Sequence, residues 1–268
     1  MKSLIAIALL ASSIFPLQKM IDTKWRGEEE LVEELMYFPT GNLLKKIVLG
    51  YDELAADLVW LRMIQYYGHH RQTDKRFDYL GHILDVLTDL DPHFIHGYTF
   101  GALLLTDDGR NPSRGLSILQ KGAVHNPLDW RLPFMSGFIN YVFLRDYERA
   151  ADHFVTASSL PDAPAFSKRF AAFVYDRKGD VDVSLELWYN LYETTENEYE
   201  KRSALRYIKR IEIQRLSQLV ARFREMSGRY PTDLKNLVTI EWIDALPEAP
   251  DGSSYFFDHS DSLVKCTE

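Results

Sequence analysis

Apolar residues recur at three- and four-residue steps along most of this chain, the spacing that lines one face of a helix. Over residues 51–67, Leu54, Ala55, Leu58, Leu61 and Ile64 mark such a face, and Gly68 is the expected stop. Residues 77–90 repeat the pattern with Leu80, Ile83, Leu84, Leu87 and Leu90. Asp91 and Pro92 end it, because the residue before a proline is pushed out of the helical region. Asn111-Pro112-Ser113 and Lys178-Gly179-Asp180 read as tight connections between antiparallel helices. Residues 197–227 hold neither Gly nor Pro, and Leu205, Ile208, Ile211, Leu216, Leu219, Val220 and Phe223 form one stripe. That predicts a helix about 45 Å long at about 1.5 Å per residue. Strand-like alternation is absent before residue 253; beyond it, residues 254–258 and 262–265 predict a small hairpin, and Thr232 a cap for a short helix.

The helical pattern is itself periodic. Leu80 and Leu84, Gly115 and Leu119, Ala150 and Phe154, and Ser184 and Trp188 align with first members stepping by 35, 35 and 34 residues. The same register brings in Leu87, Gly122, Ala157 and Leu191, and Pro92, Pro127 and Pro161 fall near one phase. This spacing resembles the tetratricopeptide repeat over residues 51–196. In that family a small residue lets the second helix approach the first, a bulky one four later fills the gap between repeats, and a proline follows. The first-helix half is looser. Ala172 and Tyr175 keep the small-then-Tyr spacing, Gly137 and Tyr141 are one residue too far apart, and Gly101 is followed by Leu104.

The resemblance implies an all-α solenoid of about four helical pairs, closed by the long helix at 197–227 and a small α/β appendage at 228–268. It also implies that the first helix of each pair lines a groove for an extended or helical segment of a protein partner. Transferred position by position, that groove takes Ile95, Tyr98 and Leu105, then Arg131, Phe134, Phe138 and Tyr141, then Phe166, Arg169, Phe173 and Arg177. About half of these aromatics are expected to pack between repeats instead, since aromatics at helical spacing are core first. In the appendage, Tyr230-Pro231, Leu234, Leu237, Leu246-Pro247, Gly252 and Tyr255 look like a tail module of bacterial pseudopilins and some exported repeat proteins.

Composition narrows the class. With 46% hydrophobic and 26% charged residues, collagen-like, disordered and polytopic membrane chains are excluded. A net charge of −8 argues against nucleic acid as partner. One cysteine, Cys266, excludes an intrachain disulfide and a cysteine zinc site. Against the acidic whole, residues 198–229 carry nine Lys or Arg and four Glu, with Arg206, Lys209 and Arg210 on the basic face. That face is either the solvated side of a capping helix or a surface for an acidic partner or anionic lipid headgroups.

Met1-Lys2, an apolar run over residues 3–17 and then Lys19 have the layout of an export signal. The run is shorter than the roughly 20 residues of a spanning helix, yet Ala11-Ser12-Ser13 is a poor cleavage site. A cleaved signal and an uncleaved anchor over residues 1–20 both stand, followed by a linker at 21–50. The expected location is the periplasm, at the inner membrane in the anchored case.

Candidate chemistry is sparse. Asp89, Asp91, His93 and His96 form the richest titratable cluster, and His93 and His96 are the candidate ligands of a metal-dependent helical enzyme. Asp57 and Arg62 flank Trp60 and read as a buried ion pair anchoring the first helix. No nucleophile elbow, phosphate loop or dinucleotide fingerprint is present. The expectation is a non-catalytic, cofactor-free scaffold at the bacterial cell envelope, supporting assembly or secretion of a larger complex. The metal-dependent enzyme and a membrane-surface binder acting through the basic helix are the alternatives.

Overall fold

The computed structural model describes residue 16 and residues 39–267. The described chain is all-α but for one small hairpin, and it divides into two compact units, Met1–Asn126 and Pro127–Glu268. The first unit contains α1 (Gly41–Ile47), α2 (Asp52–Gln72), α3 (Leu80–Leu90), α4 (Ile95–Asp107) and α5 (Pro112–His125). The second contains α6 (Arg131–Ile139) with a π-helical turn (Asn140–Leu144), α7 (Tyr147–Ser159), α8 (Ala165–Lys178), α9 (Val181–Thr194) and α10 (Glu198–Ser227). It ends with α11 (Lys235–Thr239), β1 (Tyr255–Asp258) and β2 (Leu263–Cys266). Helices α2 and α3, α4 and α5, α6 and α7, and α8 and α9 pack as four successive pairs.

Local chemistry sets the helix ends. Asn111 accepts from the Arg114 amide at 3.0 Å with Pro112 at the first helical position. Asp146 and Asn197 do the same for α7 and α10. Gly179 and Gly228 end α8 and α10 at φ of 96° and 72°, where a side chain would be strained.

All twelve positions of the repeat register are buried, and all lie on second helices, α3, α5, α7 and α9. The small members are needed for close approach: a Cβ on Gly115 would stand 2.7 Å from the Ala102 carbonyl oxygen, and Ser184 donates to the Ala172 carbonyl at 2.8 Å. The excess residue between Gly137 and Tyr141 is taken up by the π-turn, whose i→i+5 bonding holds one more residue than an α turn.

Three expectations about the first long helix fail. α2 runs through Gly68 to Gln72, because an interior glycine costs only about 1 kcal/mol and Tyr66, Tyr67 and His70 go on burying the same face. That face carries Ala56, Val59 and Met63, whereas Leu54, Leu58 and Leu61, the stripe read as core, are each more than half exposed. Asp57 is exposed too, so no buried Asp57–Arg62 pair forms. In the sequence both faces are apolar, and periodicity does not choose between them.

α10 joins two cores. Ala204, Ile208 and Ile211 pack on Trp188 and Leu191 of α9. Leu216 and Val220 pack on Leu234, Leu237, Tyr255, Phe257 and Val264 of the appendage. The hairpin forms as expected, antiparallel with Tyr255 opposite Cys266 and Asp258 opposite Leu263. The cap near α11 differs: Asn236 Oδ1 accepts from the Thr232 amide and hydroxyl and from the Asp233 amide, so Asn236 organises that turn. Among the described residues no helix is long and apolar enough to cross a membrane. The apolar run at residues 3–17, apart from residue 16, lies outside the described residues.

Candidate functional site

The first helices of the second unit set one ring each in a row: Tyr141 in the π-turn after α6, Phe173 on α8 and Tyr207 on α10. The Phe173 centroid is 6.0 Å from Tyr141 and 6.2 Å from Tyr207, both edge to face, the arrangement that ring quadrupoles favour. All three rings are half-buried. Tyr207 is held flat on buried Trp188 at 4.5 Å and 2° between planes, and Tyr141 rests on Tyr147 at 5.6 Å. Guanidinium groups cover the row: Arg177 lies 5.3 Å from the Phe173 centroid and Arg210 4.5 Å from that of Tyr207. Asp176 fixes Arg210 through a 2.8 Å ion pair. The row therefore offers flat apolar surface beside oriented donors, which suits an extended peptide with apolar side chains and backbone carbonyls.

The other expected groove residues divide by what holds them. Phe134 and Phe166 belong to an edge-to-face cluster with Trp130 and Phe170, with Phe154 against Phe134, and so pack between helices. Phe138 is half-buried beside Phe143 at 6.3 Å. Arg131 is clamped on Asp129, whose carboxyl it holds below the usual range. Arg169 lies 3.5 Å from buried Glu200 and over the Tyr199 ring at 5.7 Å. In the first unit, Tyr98 and Leu105 are core residues, not surface, and Ile95 is half-buried. The cause is glycine: a Cβ on Gly97 would meet Leu87 at 2.9 Å, so α4 sits tight on α3 and encloses Tyr98, whose phenol burial pushes up to about 12. Tyr207 and Arg210 were not placed in the groove by sequence reasoning, although Tyr207 stands 34 residues after Phe173 and that step was the available signal.

The basic face of α10 is largely spent inside the molecule. Lys209 donates to Asp251 of the appendage at 2.7 Å and Arg210 is the ring-capping group above, which leaves Arg206 exposed. Burial alone would raise the Asp251 carboxyl, but hydrogen bonds from Lys209 and Ser253 outweigh it and bring it down to about 2. Buried Glu212, one turn on, is raised above the usual carboxylate range by desolvation, with Asp182 adding to the shift and Arg215 opposing it.

His93 and His96 are both exposed, and the His93 ring lies 2.8 Å from Asn126 Oδ1. Among the described residues no three His, Cys, Asp or Glu side chains come together as metal ligands. The first unit also holds an open polar cleft of about 1090 Å³ between the ends of α2 and α4 and the start of α5. Several of its side chains are engaged: Arg114 pairs with Asp85 and Arg76 with Asp78, and Arg71 donates to the Tyr67 hydroxyl, which donates to Asp108 at 2.6 Å.

No protein-family model matches the chain, and no curated protein matches it. Among solved structures, one crystal structure of MamA aligns at 15% identity over 74% of this chain and 100% of that one, with a TM-score of 0.43. TTC0263, a thermophilic TPR protein of Thermus thermophilus, aligns at 18% identity over 60% of this chain and 94% of that one, with a TM-score of 0.36. Yeast Tom70 aligns at 15% identity over 65% of this chain and 42% of that one, with a TM-score of 0.37. The chain's own four helical pairs, with their twelve buried register positions, make up the repeat architecture.

Proposed function

We propose that the protein is a non-catalytic scaffold that holds an extended or helical segment of a protein partner along Tyr141, Phe173 and Tyr207. The observation that carries this reading is the ring row itself, half-open and capped by Arg177 and Arg210 on neighbouring helices. The place of action in this reading is the bacterial cell envelope, with the chain exported and held at the inner membrane by residues 1–20, and the partner part of an assembling or secreting complex. What supports the location is the charged-then-apolar layout of those residues. The membrane-surface alternative through Arg206, Lys209 and Arg210 loses support because two of the three side chains are engaged within the unit. The metal-enzyme alternative lacks a third donor beside His93 and His96 among the described residues.

Crosslinking in the native envelope tests the reading, comparing the wild type with a Tyr141→Ala, Phe173→Ala, Arg177→Ala variant whose helicity is checked by circular dichroism. One partner lost from the variant is the expected result. An unchanged set of partners overturns the site.

A further inference from the structure

Glu212 on α10 is only 6% exposed, and among the described residues no hydrogen bond or ion pair reaches its carboxyl. It helps to wall a cavity of about 320 Å³ between α10 and the chain that follows α11. Arg215, Leu216 and Leu219 line the same cavity, and steps of three and four place all four side chains on one face of α10. Tyr207 and Arg210 stand on the opposite face, so the cavity is separate from the ring row.

The charge in this cavity is unbalanced. Glu212, Glu241 and Asp244 contribute three carboxylates against the one guanidinium of Arg215. Arg215 is drawn to Asp182 at 3.4 Å, and cations nearby are engaged elsewhere: Lys209 with Asp251 at 2.7 Å, and Arg222 over the Trp242 ring at 4.9 Å. Glu241 and Asp244 are exposed while Glu212 is buried, so negative charge runs from the surface inward. A buried carboxylate without a partner is costly, and desolvation holds Glu212 above the usual range. A cation brought in from outside removes that cost.

We propose that this cavity takes the side chain of a lysine or arginine from a protein partner, its cationic head on Glu212 and its methylene stem along Leu216, Leu219 and Ile243. Such a side chain joins an apolar stem to a charged end, as the cavity joins apolar walls to a carboxylate. The volume is at the low end of the roughly 300–1,000 Å³ of ligand sites, which suits one side chain. A bare metal ion fits less well: among the described residues these carboxyls do not converge as metal ligands, and the apolar walls would stay unused.

The full chain is titrated with Nα-acetyl-lysine N-methylamide and with its arginine equivalent. Binding is followed by NMR at the Trp242 indole N–H, whose signal is assigned through Trp242→Phe. The expected result is a saturable shift with at least one of the two probes. None is expected with the norleucine compound, which has the stem without the charge, and affinity should fall by roughly tenfold or more in Glu212→Gln. That substitution keeps the shape of the side chain, and thermal melts confirm that the variant is folded. Glu241→Gln with Asp244→Asn should weaken binding less, since exposed charges are screened. Unchanged affinity in Glu212→Gln would overturn the proposal and leave surface attraction as the cause. Equal binding of the norleucine compound would overturn it in favour of an apolar ligand. A shift with 1-aminopentane and with neither capped amino acid would overturn it in favour of a free amine, and no shift with any probe would overturn it outright.

Discussion

α2 and α10 are the two longest described helices, at 21 and 30 residues, and on each the three- and four-residue spacing marks an apolar stripe. On α10 the stripe is where the core lies: Ile208, Ile211, Leu216 and Val220 are buried. On α2 it is the open side, and the core takes the other face. The difference is in what stands opposite. Opposite the α10 stripe are Lys and Arg, which cannot be buried unpaired, so only one orientation is available. Opposite the α2 stripe are Ala56, Val59, Met63 and two tyrosines, and these fit the pairing with α3 better. Ala56 lies within the buried face, and Tyr66 finds partners for its hydroxyl at the Arg76 carbonyl and the Tyr79 amide. A stripe establishes a helix, and the polarity of its back establishes which way it faces.

Substitutions sharpen that contrast. Trp188→Ala removes the platform under Tyr207 and leaves a void between α9 and α10, for which a loss of about 3–5 kcal/mol is expected in urea unfolding. Next comes Met63→Ala, at a fully buried position of α2, with an expected loss of about 2–5 kcal/mol. If Met63→Ala proved neutral while Leu58→Ala cost several kcal/mol, the orientation of α2 would be reversed. Gly115→Ala should cost about 1–3 kcal/mol through overpacking against the Ala102 carbonyl.

Smaller effects are expected from the carboxylates around α10, and they have opposite signs. Glu212 is raised in the folded state, so its contribution is present below the unfolded value near 4.5 and is lost as pH rises through the folded value. Glu212→Gln should therefore raise the midpoint of thermal unfolding at pH 7 and flatten its fall above pH 4.5. Asp251 is depressed, so its contribution is present above 3.8 and is lost as pH falls towards about 2. Lys209→Met should reduce that acid-side loss and leave the part due to Ser253, which melts between pH 4 and 2 would reveal. Leu58→Ala, at an exposed position of α2, is expected to change stability by no more than about 0.5 kcal/mol.

Much of the fold is written in the second helices. Small and bulky residues four apart recur there because two helices must touch at a fixed point, and every one of those positions is buried. The first helices carry weaker marks, since their contacts are made by rings that reach in several directions. Phe134 and Phe173 are both phenylalanines of first helices, yet one is locked in an aromatic cluster and the other is left half-open beside Tyr207. Tyr98 was lost to the core because Gly97 and Gly101 carry no side chain to hold α4 away from α3. The roles of Lys209 and Arg210 depend on partners 42 and 34 residues distant, Asp251 and Asp176, which no local pattern announces.

The sharing of α10 between two cores has a consequence for how the second unit comes apart. In a row of hairpins, each neighbour can fray without disturbing the next but one. Here the last hairpin and the appendage hold successive parts of one continuous helix, and breaking that helix in its middle forfeits contacts on both sides. Amide hydrogens from Ala204 to Val220 should therefore exchange with a common opening free energy, and a protease that enters the appendage should release the α8–α9 hairpin in the same event.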